Sequence, residues 1–277
     1  MTCDRQAIYR HIMSQTRHND QVDDDRQLIR TLGLKLSKGH IIGGHAHSWG
    51  QVIFASRGVM QVDAEGSRWI VPPLRCLWVP AEIDHTIKII SRTWMRTIYV
   101  RPDIAHEFEG ECRVIDVSPL LRELILETIN LEMLSERVPA QINLVRVLID
   151  QLLVANEMSM KITMPTDSRA LKFAEIISSD PANREPLGNL AREVGASPRT
   201  LERIFVRQTG MSVGRWRQQL RFMMSVRLLV EGKAVNQAAF AAGYESPSAF
   251  VAMFKREAGF TPGQYLRDLN KDRFQAV

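Results

Sequence analysis

Two sets of residues have types and spacings that can do chemistry. The first is His45 and His47, one residue apart, with Gln51 four positions further on and His85 later in the chain. In an extended segment residues two apart face the same side, so the paired histidines can point together into a pocket. His85 from another strand completes a face of three imidazoles, a donor set suited to Zn²⁺, Fe²⁺ or Ni²⁺. Gln51 is neutral and a weak ligand, so it either orients a histidine or meets a bound molecule itself. The same residues can also line a pocket for an organic ligand without metal, or be the remnant of one. Sequence alone leaves these three readings open.

The second set is Arg199, Arg203 and Arg207, spaced four apart, with Thr200 beside them. On a helix they form one ridge, while Leu201, Ile204 and Phe205 form an inward stripe. A guanidinium bonds bidentately to guanine O6 and N7, so such a ridge suits the major groove of DNA. A solvated face that holds only phosphates is the plainer reading. At an interval of 49 residues the counterparts of Arg199 and Arg203 are Ser248 and Ala252. With Val251 beside them, these offer methyl contacts to thymine, and Lys255 and Arg256 are left for phosphates.

That interval is a repeat. Ser197, Pro198, Leu201, Phe205 and Gly210 recur as Ser246, Pro247, Phe250, Phe254 and Gly259. Ahead of the turn the interval is 48, matching Ala191 and Gly195 to Ala239 and Gly243. Each copy predicts a helix-turn-helix: a short helix (187–194, 235–242), a glycine turn, and a serine cap with proline at the first helical position. A second helix follows, closed by glycine. The units span about 187–210 and 235–259. Residues 213–231 predict one connecting helix about 28 Å long. That length holds the two reading helices near successive major grooves, about 34 Å apart.

The N-terminal part has a different grammar. Leu32, Leu34 and Leu36 alternate with polar partners, and strands are expected at 51–56, 59–62, 68–71, 74–79, 86–90 and 97–100. Turn pairs such as Arg57-Gly58, Glu65-Gly66 and Pro72-Pro73 separate several of them, which argues an antiparallel barrel or sandwich. Apolar residues at three- and four-residue intervals predict helices over 119–133 and 140–158, broken at Val138-Pro139. The expected fold class is α+β with two domains. A mobile arm (1–27) containing Asp23-Asp24-Asp25 precedes a barrel domain (28–160), whose helical segment begins near 118. A linker (161–167) containing Pro165 leads to an all-α domain (168–277).

Charge follows the same division. From Thr166 onward there are 17 Lys and Arg against 11 Asp and Glu, and before it 19 against 20, giving the chain's net +5. Only the C-terminal part is therefore expected to meet a polyanion. No 18-residue apolar run provides a membrane span, and the first residues lack an apolar signal core, so a cytoplasmic location is expected. Cys3, Cys76 and Cys112 are odd in number and widely spaced, which suits a reducing compartment.

The block 186–266 resembles the DNA-binding domain of the AraC/XylS family of bacterial transcription regulators. The matching residues are Leu190-Ala191, Gly195, Ser197, Thr200-Leu201, Arg203, Phe205 and Thr209-Gly210. In the second unit they are Gly243-Tyr244-Glu245-Ser246-Pro247-Ser248-Ala249-Phe250, Phe254-Lys255 and Gly259-Phe260-Thr261-Pro262-Gly263-Gln264-Tyr265. His45-Ala46-His47, Gln51, Gly58 and Pro80-Ala81-Glu82-Ile83-Asp84-His85 resemble the two cupin motifs, with Gln51 where glutamate is usual and Glu82 where glycine is usual.

These resemblances imply a transcription regulator of double-stranded promoter DNA, controlled by a small molecule or metal in a cupin-like barrel. They imply a homodimer formed through the helical pair, whose stripes can equally cover the domain's own core or do both, and contact with RNA polymerase if it is an activator. Arg199 and Arg203 would reach base edges, with Thr200, Arg207, Ser246, Ser248, Ala252, Lys255 and Arg256 along the interface. The alternative is a metal-dependent cupin enzyme, a dioxygenase or isomerase, with an accessory DNA-binding tail. Gln51 weakens that alternative, and no catalytic residue is assigned. A purely structural DNA-bending protein would leave the barrel unexplained.

Overall fold

The computed structural model describes residues 26–108, 110–157 and 160–275. The expected arm falls outside them through residue 25, as does Cys3, and Gln27 belongs to the first strand rather than to an arm.

Eleven strands among the described residues form two antiparallel sheets. The larger sheet has the order β10-β1-β8-β3-β6-β9, and the smaller β11-β5-β4-β7-β2. Their ranges are β1 Gln27–Leu36, β2 Ile41–His45, β3 Gly50–Arg57, β4 Met60–Ala64, β5 Ser67–Val71, β6 Arg75–Val79, β7 His85–Ile89, β8 Thr93–Val100, β9 Arg113–Asp116, β10 Met133–Ser135 and β11 Lys161–Thr163. Alternation drives the layering. One face of the larger sheet sends Ile53, Leu77 and Val79 to meet Val62 and Ile87 of the smaller sheet. The other face sends Val52, Phe54, Trp78 and Ile98 against the helical pair. Strands β3 and β6 are buried on both faces, which hides any alternation in their sequence.

A short helix α1 (Pro102–Ala105) follows β8, and the pair is α2 (Pro119–Asn130) and α3 (Pro139–Val154). Both are shorter than their apolar periodicity suggests. Helix α2 stops because Glu132 takes a left-handed φ of 61°, after which Met133–Ser135 pairs with β1 as β10. Past α3, the Asn156 carbonyl accepts from the Asp116 amide at 2.9 Å, tying the chain back to β9. The expected linker is corrected in its first half. Lys161–Thr163 is strand β11, paired to β5, because its backbone groups find partners on an open sheet edge.

The C-terminal part is helical: α4 Ser168–Ser179, α5 Leu187–Glu193, α6 Pro198–Thr209, α7 Val213–Val230, α8 Val235–Ala241, α9 Pro247–Ala258 and α10 Pro262–Gln275. Ser197 and Ser246 accept from the Thr200 and Ala249 amides as caps, and Gly210 and Gly259 end α6 and α9 in the left-handed region. Gly195 and Gly243 turn the chain at φ 71° and 84°. The two parts share one apolar core. The Trp216 indole donates to the Thr163 carbonyl at 2.9 Å, and the Tyr265 hydroxyl to the Pro73 carbonyl at 3.4 Å.

Candidate functional site

His45 ends β2 and His85 opens β7, and the two are direct cross-strand partners. Their rings lie 4.3 Å apart, with the His47 ring 5.2 Å from His85 and 6.0 Å from His45. One ligating nitrogen from each lies within 4.8 Å of the others. The three histidines thus converge, but not by strand alternation as expected. His47 lies beyond the end of β2, in a loop that the Glu82 amide pins by donating to the His47 carbonyl at 2.9 Å. Glu82 itself sits at φ 62°, the conformation for which the cupin pattern carries glycine. The backbone shape survives the substitution at a strain cost of roughly 1–3 kcal/mol. Gly58 admits no such exchange, because a Cβ there would lie 2.3 Å from the Arg92 carbonyl oxygen.

The hydrogen bonds set the tautomers. Nδ1 of His45 donates to the Gly43 carbonyl at 2.8 Å, Nδ1 of His85 to Ile83 at 2.9 Å, and Nδ1 of His47 to Trp49. A carbonyl can only accept, so in each neutral ring the lone pair is on Nε2, the arrangement that metal-ligating histidines use. The buried Nε2 of His85 has no hydrogen-bond partner among the described residues. Burial, reinforced by His45 and His47, pushes the His85 pKa down to about 4, so this ring is neutral at physiological pH.

Gln51 is buried, and its amide donates to the Thr97 hydroxyl at 2.8 Å while that hydroxyl donates to the Val52 carbonyl at 3.1 Å. Its Oε1 is thereby turned to Nε2 of His47, 2.9 Å away. Two acceptors at that distance are reconciled by a proton on the ring, by turning the Gln51 amide so that its nitrogen donates, or by a cation shared between them. Of the two roles open to Gln51 in sequence, the structure displays the contact with His47. Thr97 and Tyr99 were missed in sequence, although they lie two apart on one strand. The Tyr99 ring meets His47 edge-on at 5.2 Å, and its burial raises its pKa to about 12.

One row crosses the whole smaller sheet. His45 pairs with His85, His85 with Ala64, Ala64 with Ser67, and Ser67 with Thr163. Thr163 is the residue that accepts from Trp216, in the first turns of the connecting helix α7.

On the helical part, Arg199, Arg203 and Arg207 are exposed and make no hydrogen bond or ion pair among the described residues. Thr200 is half-buried, its hydroxyl 2.9 Å from that of Ser197, so it serves the cap. Ser248, Ala252 and Lys255 are exposed on α9, and Ser246 is taken up by its own capping bond. Arg256 is partly diverted to Glu257 at 3.3 Å.

The sequence comparisons meet this geometry. A family model described as "Helix-turn-helix domain" matches residues 190–268, and one described as "AraC-like ligand binding domain" matches 37–155. The HTH-type transcriptional regulator NimR of Escherichia coli (strain K12) is 32% identical over 225 residues, covering 81% of this chain and 82% of its own. The chain belongs to the AraC family of transcription regulators. The regulator is also similar to RipA of Corynebacterium glutamicum, a further HTH-type transcriptional regulator. That match is 30% identical over 102 residues and covers 37% of this chain and 31% of RipA. Among solved structures, ToxT from Vibrio cholerae O395 aligns over 87% of this chain and 98% of its own at 12% identity, with a TM-score of 0.37. The enzyme alternative gains no support from these relatives, which are named as regulators. No helix among the described residues is long and apolar enough to cross a membrane.

Proposed function

We propose that this regulator binds promoter DNA through α6 and α9 and is controlled by a divalent transition metal held in its barrel. The carrying observation is the shared orientation of three imidazoles. Each Nδ1 faces a backbone carbonyl, so the lone pairs fall on the Nε2 atoms. His45, His47 and His85 would hold the metal, and Gln51 Oε1 would join them, resolving its contact with another acceptor. The donor set suits Zn²⁺, Fe²⁺ or Ni²⁺. When bound, the ion would supply a positive centre able to take an anionic or carbonyl oxygen of a small effector.

The cross-sheet row to Thr163 and Trp216 gives occupancy at the histidines a physical connection to the helix that joins the two reading units. The outer face of α2 and α3, with Leu120 at 54% and Val154 at 74% exposure, is the proposed dimer surface, while Leu121, Ile125 and Leu148 serve the domain's own core. RNA polymerase would be a further partner if the protein activates transcription.

Metal analysis of protein purified without chelator, with DNA affinity measured before and after metal removal, tests this. Near-stoichiometric metal is expected, and His47→Ala should abolish both metal and the response while leaving metal-free DNA affinity within about twofold, as for a change far from the interface. Sub-stoichiometric metal with an unchanged response in the variant would overturn it.

A further inference from the structure

A cleft of about 700 Å³ lies between the connecting helix α7, the loop ahead of α5 and the second helix-turn-helix unit. Arg184 approaches it from the loop ahead of α5, Arg217 and Arg221 from α7, and Tyr244 from the turn ahead of α9, with Arg256 at its edge. The positive charge here is poorly balanced. Glu245 lies 3.9 Å from Arg184 and is almost wholly exposed, while Glu257 is occupied by Arg215 at 2.6 Å and Arg256 at 3.3 Å.

Arg217 and Arg221 converge on one atom, both donating to the Asn183 carbonyl at 2.6 and 3.2 Å, and Arg221 also donates to Pro181 at 3.0 Å. Burial, and then the charge of Arg221, lowers the Arg217 pKa. Two guanidiniums on one neutral oxygen leave most of their ten N–H donors unassigned and their repulsion unrelieved. Beside them the Tyr244 hydroxyl is buried with no hydrogen-bond partner among the described residues. A donor without an acceptor next to crowded cations is the complement of an oxyanion.

We propose that this cleft is a phosphate-binding site, formed by Arg184, Arg217, Arg221 and Tyr244, that takes a DNA backbone phosphate between the two half-sites. It lies beyond the reading helices and needs no base contact. On the proposed function, DNA running from one major groove to the next must pass the helix α7 that joins the units and lines the cleft. A phosphate there would satisfy the Tyr244 hydroxyl and offset the paired guanidiniums with charge-assisted bonds. It would also fix the spacing of the half-sites, since α7 connects the two units.

The test uses the full chain and a duplex selected by it from a randomised library. Binding is measured against salt for wild type, Arg184→Gln, Arg221→Gln and Tyr244→Phe. Arg184→Gln and Tyr244→Phe guard against a folding defect, because neither removes a bond to the Pro181–Asn183 loop. Loss of one phosphate contact should flatten the slope of log affinity against log salt by about 0.9. A methylphosphonate scan should find a phosphate between the half-sites whose neutralisation weakens wild type and leaves Tyr244→Phe unaffected.

A second arm needs no DNA and measures the melting temperature with inorganic phosphate and pyrophosphate. A rise in wild type that Tyr244→Phe abolishes, with salt slopes unchanged, would uphold the phosphate site and assign it to a free anion. Unchanged slopes, an unchanged scan and no rise in melting temperature would overturn the proposal. Failure to select any duplex would count against the regulator reading instead, and the anion arm would still decide this one.

Discussion

Helices α6 and α9 share their caps, their length and their closing glycine, yet they deploy their basic residues differently. On α6, Arg199, Arg203 and Arg207 stand in solvent with no internal partner among the described residues. On α9 the equivalent face offers Ser248 and Ala252, with exposed Arg256 in the place of Arg207. The Glu257 side chain, 5% exposed, accepts a bidentate pair from Arg215 of α7 at 2.6 and 2.8 Å and is also met by Arg256. The second unit is further fastened to the barrel by Tyr265 on Pro73, and by Arg75, whose guanidinium lies 5.4 Å from the centre of the Phe260 ring. The duplicated units thus differ in how many of their basic side chains have internal partners among the described residues.

The largest effect should follow from removing the reading chemistry. On the proposed assignment Arg203 makes a bidentate contact to guanine, worth about 1–3 kcal/mol of discrimination. Arg203→Ala should therefore lose roughly 5- to 150-fold in affinity for the selected duplex while binding random DNA nearly as before. Equal losses on both duplexes would make Arg203 a phosphate contact and remove the asymmetry.

The two units also differ in how they meet the barrel, and the first lies on the histidine row. Trp216→Phe deletes the bond to Thr163 but keeps an aromatic ring in the core. Metal-free DNA affinity should stay within about twofold, and most of the metal-dependent change should disappear. An unaltered response would place the coupling elsewhere, the Tyr265–Pro73 contact being the next candidate.

Much of this was legible in the sequence, and the reasons differ by region. The repeat announced itself because caps, turn glycines and core aromatics recur at fixed intervals, and each has a strict backbone meaning. The convergence of His45, His47 and His85 was readable from motif spacing. The role of Thr97 was not, since a buried threonine on a strand carries no signal of which hydroxyl lone pair faces a glutamine. Strands β10 and β11 were hidden because each is three residues long and stabilised by a distant sheet edge. The division of the α2 and α3 stripes between core and surface was equally hidden, because Leu120 and Leu121 look alike until the sheet beneath them is placed.

A smaller, pH-dependent effect distinguishes the second unit. Hydrogen bonding from Arg215 keeps the Glu257 pKa below the usual carboxylate value, and burial opposes this only in part. A depressed folded-state pKa adds stability that is present above the unfolded value and lost as pH falls through the folded one. Glu257→Gln should therefore lower the melting temperature near neutral pH by roughly 2–4 °C, the effect of about 1 kcal/mol in a chain of this size. The difference should shrink as pH falls through the lowered folded-state value, where the Glu257 carboxylate becomes uncharged. An equal destabilisation at neutral and low pH would mean that packing rather than the ion pair is lost.

The smallest effect is the sharpest test of asymmetry. Ala252 is exposed, sits one repeat beyond Arg203, and has only a methyl group to offer a base. Ala252→Ser keeps the helix and exchanges that methyl for a hydroxyl, a surface change worth within about 0.5 kcal/mol. Affinity for the selected duplex should thus move by no more than about twofold, and the second half-site should keep its looser base preference. Ala252→Arg is the informative companion, since it restores at the second unit what the first possesses. It should introduce a guanine preference into a half-site that had little, if α9 enters the groove as proposed for α6. If Ala252→Ser costs as much as Arg203→Ala, the second helix reads as strongly as the first and the asymmetry fails. If Ala252→Arg leaves the selected sequence unchanged, the second helix does not read through this face. Sequence preference there would then rest on the deformability of the DNA itself, with Lys255 and the cleft beside α7 supplying only charge.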